Sequence, residues 1–147
     1  MPEPILDLRH VTKSFGGLIA VNDVSFTVDR GEIFGIAGPN GSGKSTLFNC
    51  ITGIPYGPTS GEIRFKGGRI DSAPPHIIAR SGLTRTFQKD AEFPDLTARE
   101  TVLLGSHYLG GLRAGEARKA METALDIVRF EPSRRDTKTV ELSVYGK

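Results

Sequence analysis

The chain has 147 residues with 19 Lys and Arg against 17 Asp and Glu, a net charge of +2, 37% hydrophobic residues and one cysteine. That length suits one domain with a respectable core, the near-balanced charge excludes an obvious polyanion footprint, and a lone Cys50 excludes an internal disulfide. The acidic, Pro-bearing start has no signal-peptide h-region and no run approaches the ~18 apolar residues of a membrane helix, so the expectation is a cytosolic protein that meets membranes only through a partner.

Ile5–Val11 alternates apolar and polar side chains, as a half-solvated strand does, and Val21–Val28 repeats the pattern. Ile33–Ala37 is continuously apolar, which predicts a central parallel strand. A glycine-rich loop follows, then an apolar helical stretch from Leu47 to Thr52 before Gly53. Glu62–Lys66 reads as a third alternating strand, with Gly67-Gly68 turning it back towards Arg69-Ile70. Pro74-Pro75 opens a short helix ending at Gly82, and Gly82–Gln88 reads as another strand.

Beyond about residue 95 the pattern turns helical. Thr97 and Glu100 have capping-box spacing for a helix through Tyr108, and Gly110, Gly111 and Gly115 are expected to interrupt it. A further helix places Ala117, Ala120, Met121, Ala124, Leu125 and Val128 on one face. Its charged residues Glu116, Arg118, Lys119, Glu122 and Asp126 are expected to form a solvated face. His10, His76 and His107 lack metal-ligand spacing and read as ordinary polar residues. The whole predicts a mixed α/β core with a helical lobe attached.

The chemistry concentrates in Gly38-Pro39-Asn40-Gly41-Ser42-Gly43-Lys44-Ser45-Thr46, which fits G-x-x-x-x-G-K-[ST] between a predicted strand and a predicted helix. Successive backbone N–H groups in such a loop form a concave nest for phosphates, aided by the positive end of the following helix. Lys44 supplies a point charge to the β- and γ-phosphates, and the Ser45 hydroxyl is a magnesium ligand. The motif predicts a nucleotide phosphate site but does not choose among kinases, GTPases, motors and transport ATPases. No Asn-Lys-x-Asp guanine-reading motif occurs, which disfavours a GTPase.

Other segments narrow the choice. Ile5–Gly16, Val21–Phe26, Gly31-Glu32-Ile33, Pro58–Ile63 and Thr86-Phe87-Gln88 occur in the order found in ATP-binding cassette subunits, which the whole chain resembles. Phe15–Phe26 (FGGLIAVNDVSF), Leu47–Gly53 (LFNCITG) and Arg85–Gln88 (RTFQ) are most similar to the ATPase subunits of branched-chain amino-acid importers and their amide- and urea-type relatives. The resemblance implies a phosphate-loop NTPase: an α/β fold with an N-terminal antiparallel β subdomain and the start of an α-helical subdomain. Residues 1–95 would form the nucleotide-binding core and residues 96–147 the helical subdomain, with the C-terminal part of the sheet missing.

The resemblance also implies ATP and Mg2+ as cofactors. Phe15 matches the aromatic that stacks on adenine, although position alone fits a core Phe near a strand end. Gln88 matches a glutamine that contacts magnesium and the attacking water, although a polar residue closing a strand would read the same. Arg85 and Thr86 are subfamily markers without a chemical assignment. Implied partners are a second ATPase subunit, identical or paralogous, membrane permease subunits and, through them, a periplasmic solute-binding protein. Nucleic acid is not among them. The implied location is cytoplasmic, peripheral on the inner face of the plasma membrane through the permease subunits.

One departure matters. Leu142-Ser143-Val144-Tyr145-Gly146 stands where the family carries Leu-Ser-Gly-Gly-Gln. The family's Ser contacts the γ-phosphate held by the opposite subunit, which makes Ser143 the matching residue, while Val144 and Tyr145 would crowd that approach. The alternative is that Leu142-Ser143 merely ends a short strand or turn. The strand ending in Asp-Glu and the later histidine of the family are not within residues 1–147. The expectation is therefore a part of a longer subunit that binds nucleotide and hydrolyses it negligibly by itself. A non-hydrolysing nucleotide-binding or interaction module, and a soluble cassette ATPase acting on nucleic acid, are the competing readings.

Overall fold

A computed structural model describes residues 3–87 and 93–142, with the backbone alone at 107–110. The chain divides into two compact units, residues 1–85 and 86–147.

In the first unit, β1 (Leu6–Phe15) and β2 (Leu18–Val28) form a long antiparallel hairpin through Gly16-Gly17. On its other side β1 pairs antiparallel with β3 (Ser60–Phe65), and β3 turns at Lys66-Gly67 into the short β4 (Gly68–Arg69), giving the order β2-β1-β3-β4. β1 lies between β2 and β3; a bulge at Arg9-His10, with His10 at φ 53°, leaves both of those residues exposed and returns Val11 to the buried face with Leu8. Helix α1 (Lys44–Thr52) closes the buried face: Leu47, Cys50 and Ile51 join Leu8, Val11 and Ile63 in one core. Gly53, left-handed at φ 69°, ends that helix, and Pro75 opens the short α2 (Pro75–Arg80), which contributes Ile78.

Two expected strands do not form. Residues 33–37 run without ladder partners among the described residues, and Ile33 is 99% exposed. Leu83–Phe87 is likewise irregular. The run is apolar, yet all of it but Ile36 is exposed, because a parallel strand forms and is buried only when flanking strands supply its hydrogen bonds and cover it. Phe34 instead stacks on Phe26 of β2, with centroids 4.8 Å apart and planes at 12°.

The second unit is helical. Thr97 caps α3 (Ala98–Gly110), with both halves of the capping box formed, and Gly111 closes it at φ 58°. Helix α4 (Ala114–Ile127) packs on α3 through Ala117, Met121 and Leu125. Gly115 does not interrupt a helix, because it lies in the first turn of α4, and Val128 is exposed at that helix's end. A 3-10 turn (Pro132–Arg134) leads to the one-turn α5 (Thr139–Leu142).

Two residues of the solvated face of α4, Glu122 and Asp126, also carry ion pairs. Arg135, 6% exposed, reaches Glu122 at 2.6 Å and Asp126 at 2.6 Å, and Arg99 reaches Glu122 at 2.7 Å and also pairs with Asp136. The helix period placed Glu122 and Asp126 off the apolar face, but could not show that Arg135 folds back from the following segment to meet them.

Candidate functional site

The phosphate-binding sequence forms a loop of three positive-φ glycines, Gly38, Gly41 and Gly43, that feeds directly into α1. Gly43 is the helix N-cap at φ 87°, where an L side chain is strained. No side chain caps this end and no acidic residue occupies its first turn. The unsatisfied N–H groups and the positive helix end therefore remain available to an anion. The Lys44 ammonium bends back across the loop, donating to the carbonyls of Gly38 and Pro39 at 2.6 Å each and to Ser42 Oγ at 3.3 Å. The three acceptors hold this ammonium against the loop's own main chain. Ser45 is exposed and Thr46 half-buried in the first turn of α1, and Asn40 is exposed at the loop's tip.

β2 fixes the loop from below: Gly43 lies directly on the backbone of Ala20. A cavity of about 700 Å³ opens beside it, with Lys44 at one side and Val21, Val24, Phe26, Phe34 and Ile36 among its apolar walls.

Phe15 ends β1 at the hairpin turn and is 43% exposed. Its ring meets Tyr56 edge to face, with centroids 5.0 Å apart and planes at 78°. Lys13 Nζ lies 5.3 Å from the Phe15 centroid and 4.7 Å from that of Tyr56, and donates to the Gly57 carbonyl at 2.8 Å. Asn49 of α1 donates to the Tyr56 hydroxyl at 2.9 Å and accepts from Arg85. Lys13 and Asn49 lie within segments that resemble the family but receive no role of their own from the sequence, which does not single out Tyr56. Gln88 and Ser143 lie outside the described residues. Leu142 ends α5. Among the described residues no cluster of three His, Cys, Asp or Glu could hold a metal ion, and no helix is long and apolar enough to cross a membrane.

The family model for ABC transporters matches residues 21–145. The chain belongs to the ABC transporter family. It is 44% identical over 135 residues to the high-affinity branched-chain amino acid transport ATP-binding protein BraF of Pseudomonas aeruginosa, covering 84% of this chain and 52% of BraF. It is 39% identical over 133 residues to the LivG protein of Salmonella typhimurium, which carries the same description, covering 86% and 52%. Among solved structures, MJ1267, an ATP-binding cassette of an ABC transporter, superposes with a TM-score of 0.78 at 29% identity, covering 93% of this chain and 58% of that one. The chain thus spans about half the length of the curated ABC transporter relatives it matches. The chain carries part of the phosphate-loop cassette fold: the antiparallel β subdomain, the phosphate-loop segment with α1, and the helical unit.

Proposed function

We propose that this chain is the nucleotide-binding part of an ABC importer ATPase subunit serving branched-chain amino acids or related small solutes. The observation that carries the reading is the loop Gly38–Thr46 opening onto the uncapped N-terminus of α1, with Lys44 drawn across it. These residues fit ATP with Mg2+. The backbone of Gly38, Pro39, Asn40, Gly41, Ser42 and Gly43 and the first turn at Ser45 and Thr46 would surround the phosphates, Lys44 would neutralise their charge, and Phe15 would stack on the base. Ser45 and Gln88 would hold the magnesium ion, which lowers the charge on the phosphate oxygens when bound. Ser143 would face nucleotide on a second cassette.

In this reading residues 1–95 bind the nucleotide and residues 96–147 form the subdomain that answers to partners. Those partners are a second ATPase subunit, permease subunits and, indirectly, a periplasmic binding protein, which places the chain on the cytoplasmic face of the membrane. ATP would favour closure of the paired cassettes and so bias the permease. The names of BraF and LivG support the solute class. The activity proposed for residues 1–147 themselves is nucleotide binding.

The test is calorimetric titration of Mg-ATP into the protein and its Lys44→Ala variant. Loss of charge-assisted phosphate contacts should cost about 1.5–3 kcal/mol of binding free energy. Equal affinities would overturn the site.

A further inference from the structure

Side chains from separate segments form one continuous chain of contacts within the first unit. Arg85 Nη1 donates to Asn49 Oδ1, Asn49 Nδ2 donates to the Tyr56 hydroxyl, and the Tyr56 ring meets Phe15 edge to face under the Lys13 ammonium. Each link orders the next. A guanidinium only donates, so its bond turns the Asn49 carbonyl towards Arg85 and leaves the amide NH2 to Tyr56. The hydroxyl, held at 2.9 Å, then fixes the ring, and the 78° contact presents one aromatic edge to the other's face. Lys13, itself anchored on the Gly57 carbonyl, adds a cation to both rings.

The root of this chain is significant. Asn49 sits on α1 five residues after Lys44, so the contacts lead from the helix that frames the phosphate loop out to an exposed ring at the tip of a hairpin. Phe15 follows Ser14, precedes two glycines and is 43% exposed, so the core does not immobilise it. A platform that must be ordered on binding weakens the ligand; one ordered beforehand does not.

We propose that Tyr56, oriented by Asn49 and Arg85, is a positioning residue that holds Phe15 as a preformed base platform in fixed relation to the phosphate loop. The inference rests on the reading of Phe15 as the base-stacking residue. It assigns Tyr56 and Asn49 to the base-dependent part of nucleotide affinity and not to the phosphate-dependent part.

The experiment compares Mg-ATP with Mg-tripolyphosphate, which lacks base and ribose, by calorimetry on the intact protein and on Phe15→Ala, Tyr56→Leu, Tyr56→Phe, Asn49→Ala and the Phe15→Ala/Tyr56→Leu double variant. Tyr56→Leu should weaken ATP about three- to tenfold, in line with the worth of one aromatic pair, and leave tripolyphosphate within about twofold. Tyr56→Phe and Asn49→Ala, which keep both rings, should give smaller and similar losses for ATP alone. The double variant should bind ATP no worse than Phe15→Ala. Tripolyphosphate binding doubles as the check that each variant is folded, and Tyr56→Phe tests the hydrogen bond without disturbing packing. Equal losses for both ligands, or a further loss in the double variant, would make Tyr56 structural and overturn the proposal. If Phe15→Ala changes the ratio between ligands and the Tyr56 variants do not, the positioning role alone fails. If Phe15→Ala leaves the ratio unchanged, the base-stacking reading fails and takes the positioning role with it.

Discussion

A β-carbon on Gly43 would stand 2.2 Å from the carbonyl oxygen of Ala20, far inside van der Waals contact, at a backbone φ of +87°. Sterics and conformation therefore both reserve the position for glycine. Gly43→Ala should destabilise the protein by about 2–4 kcal/mol, from left-handed strain plus overpacking against main chain that cannot yield. Urea denaturation measures this. A change under about 0.5 kcal/mol, ordinary for an unconstrained surface site, would show that the loop does not rest on β2.

Thr97 both accepts from the Glu100 amide through its side chain and offers its own amide to the Glu100 carboxylate at 2.8 Å. Thr97→Ala should cost about 0.5–2 kcal/mol, the usual worth of an N-cap oxygen. Amide hydrogen exchange should show the loss as faster exchange in the first turn of α3. Unchanged protection there would mean that packing on α4 alone holds the helix start.

Acid should loosen the second unit before charge repulsion does. Hydrogen bonds from Arg99 and then Arg135 hold the Glu122 carboxyl below the usual glutamate range, and the Thr97 backbone and side chain do the same for Glu100. Both carboxyls are depressed in the folded state. Their stabilisation is complete above the ordinary glutamate range and disappears as pH falls through the lower folded values. Tm curves of the wild type and Glu122→Gln should differ at neutral pH and converge in acid. A gap independent of pH would assign the effect to packing.

Cys50 is 1% exposed and burial raises its thiol above the usual range, an effect that the nearby Lys13 charge only partly offsets. A disulfide reagent should therefore modify it at the rate of local unfolding rather than at the rate of a free thiol. Rapid labelling under native conditions would place the α1–sheet interface in frequent opening.

The alternating strands, the α3 cap and the phosphate loop were legible because each is a local pattern: period two, a box of four residues, a run of nine. What failed was relational. Ile33–Ala37 has the composition of a central strand, yet ladder bonds belong to pairs of segments and the run itself cannot announce a neighbour. Glu122 and Asp126 lay on the polar side of a correctly read helix, but Arg135 meets them from beyond that helix's end. Arg85 stood out only as a family marker, and its bond to Asn49 spans 36 residues that no periodicity connects. The edge-to-face contact of Phe15 with Tyr56 likewise joins residues that no local pattern connects.

In the second unit, Thr139 donates its amide to the Leu96 carbonyl at 2.9 Å and its hydroxyl to that of Phe93 at 2.6 Å, and Thr97 bridges antiparallel to Lys138. The strand of chain that enters the helices and the one that leaves them thus run side by side. That is a clasp: the two ends of the helical stretch hold each other, so neither can fray without releasing the other. Loosening near Phe93 is therefore felt at Thr139, and amide protection at the two ends of the helical stretch should rise and fall together.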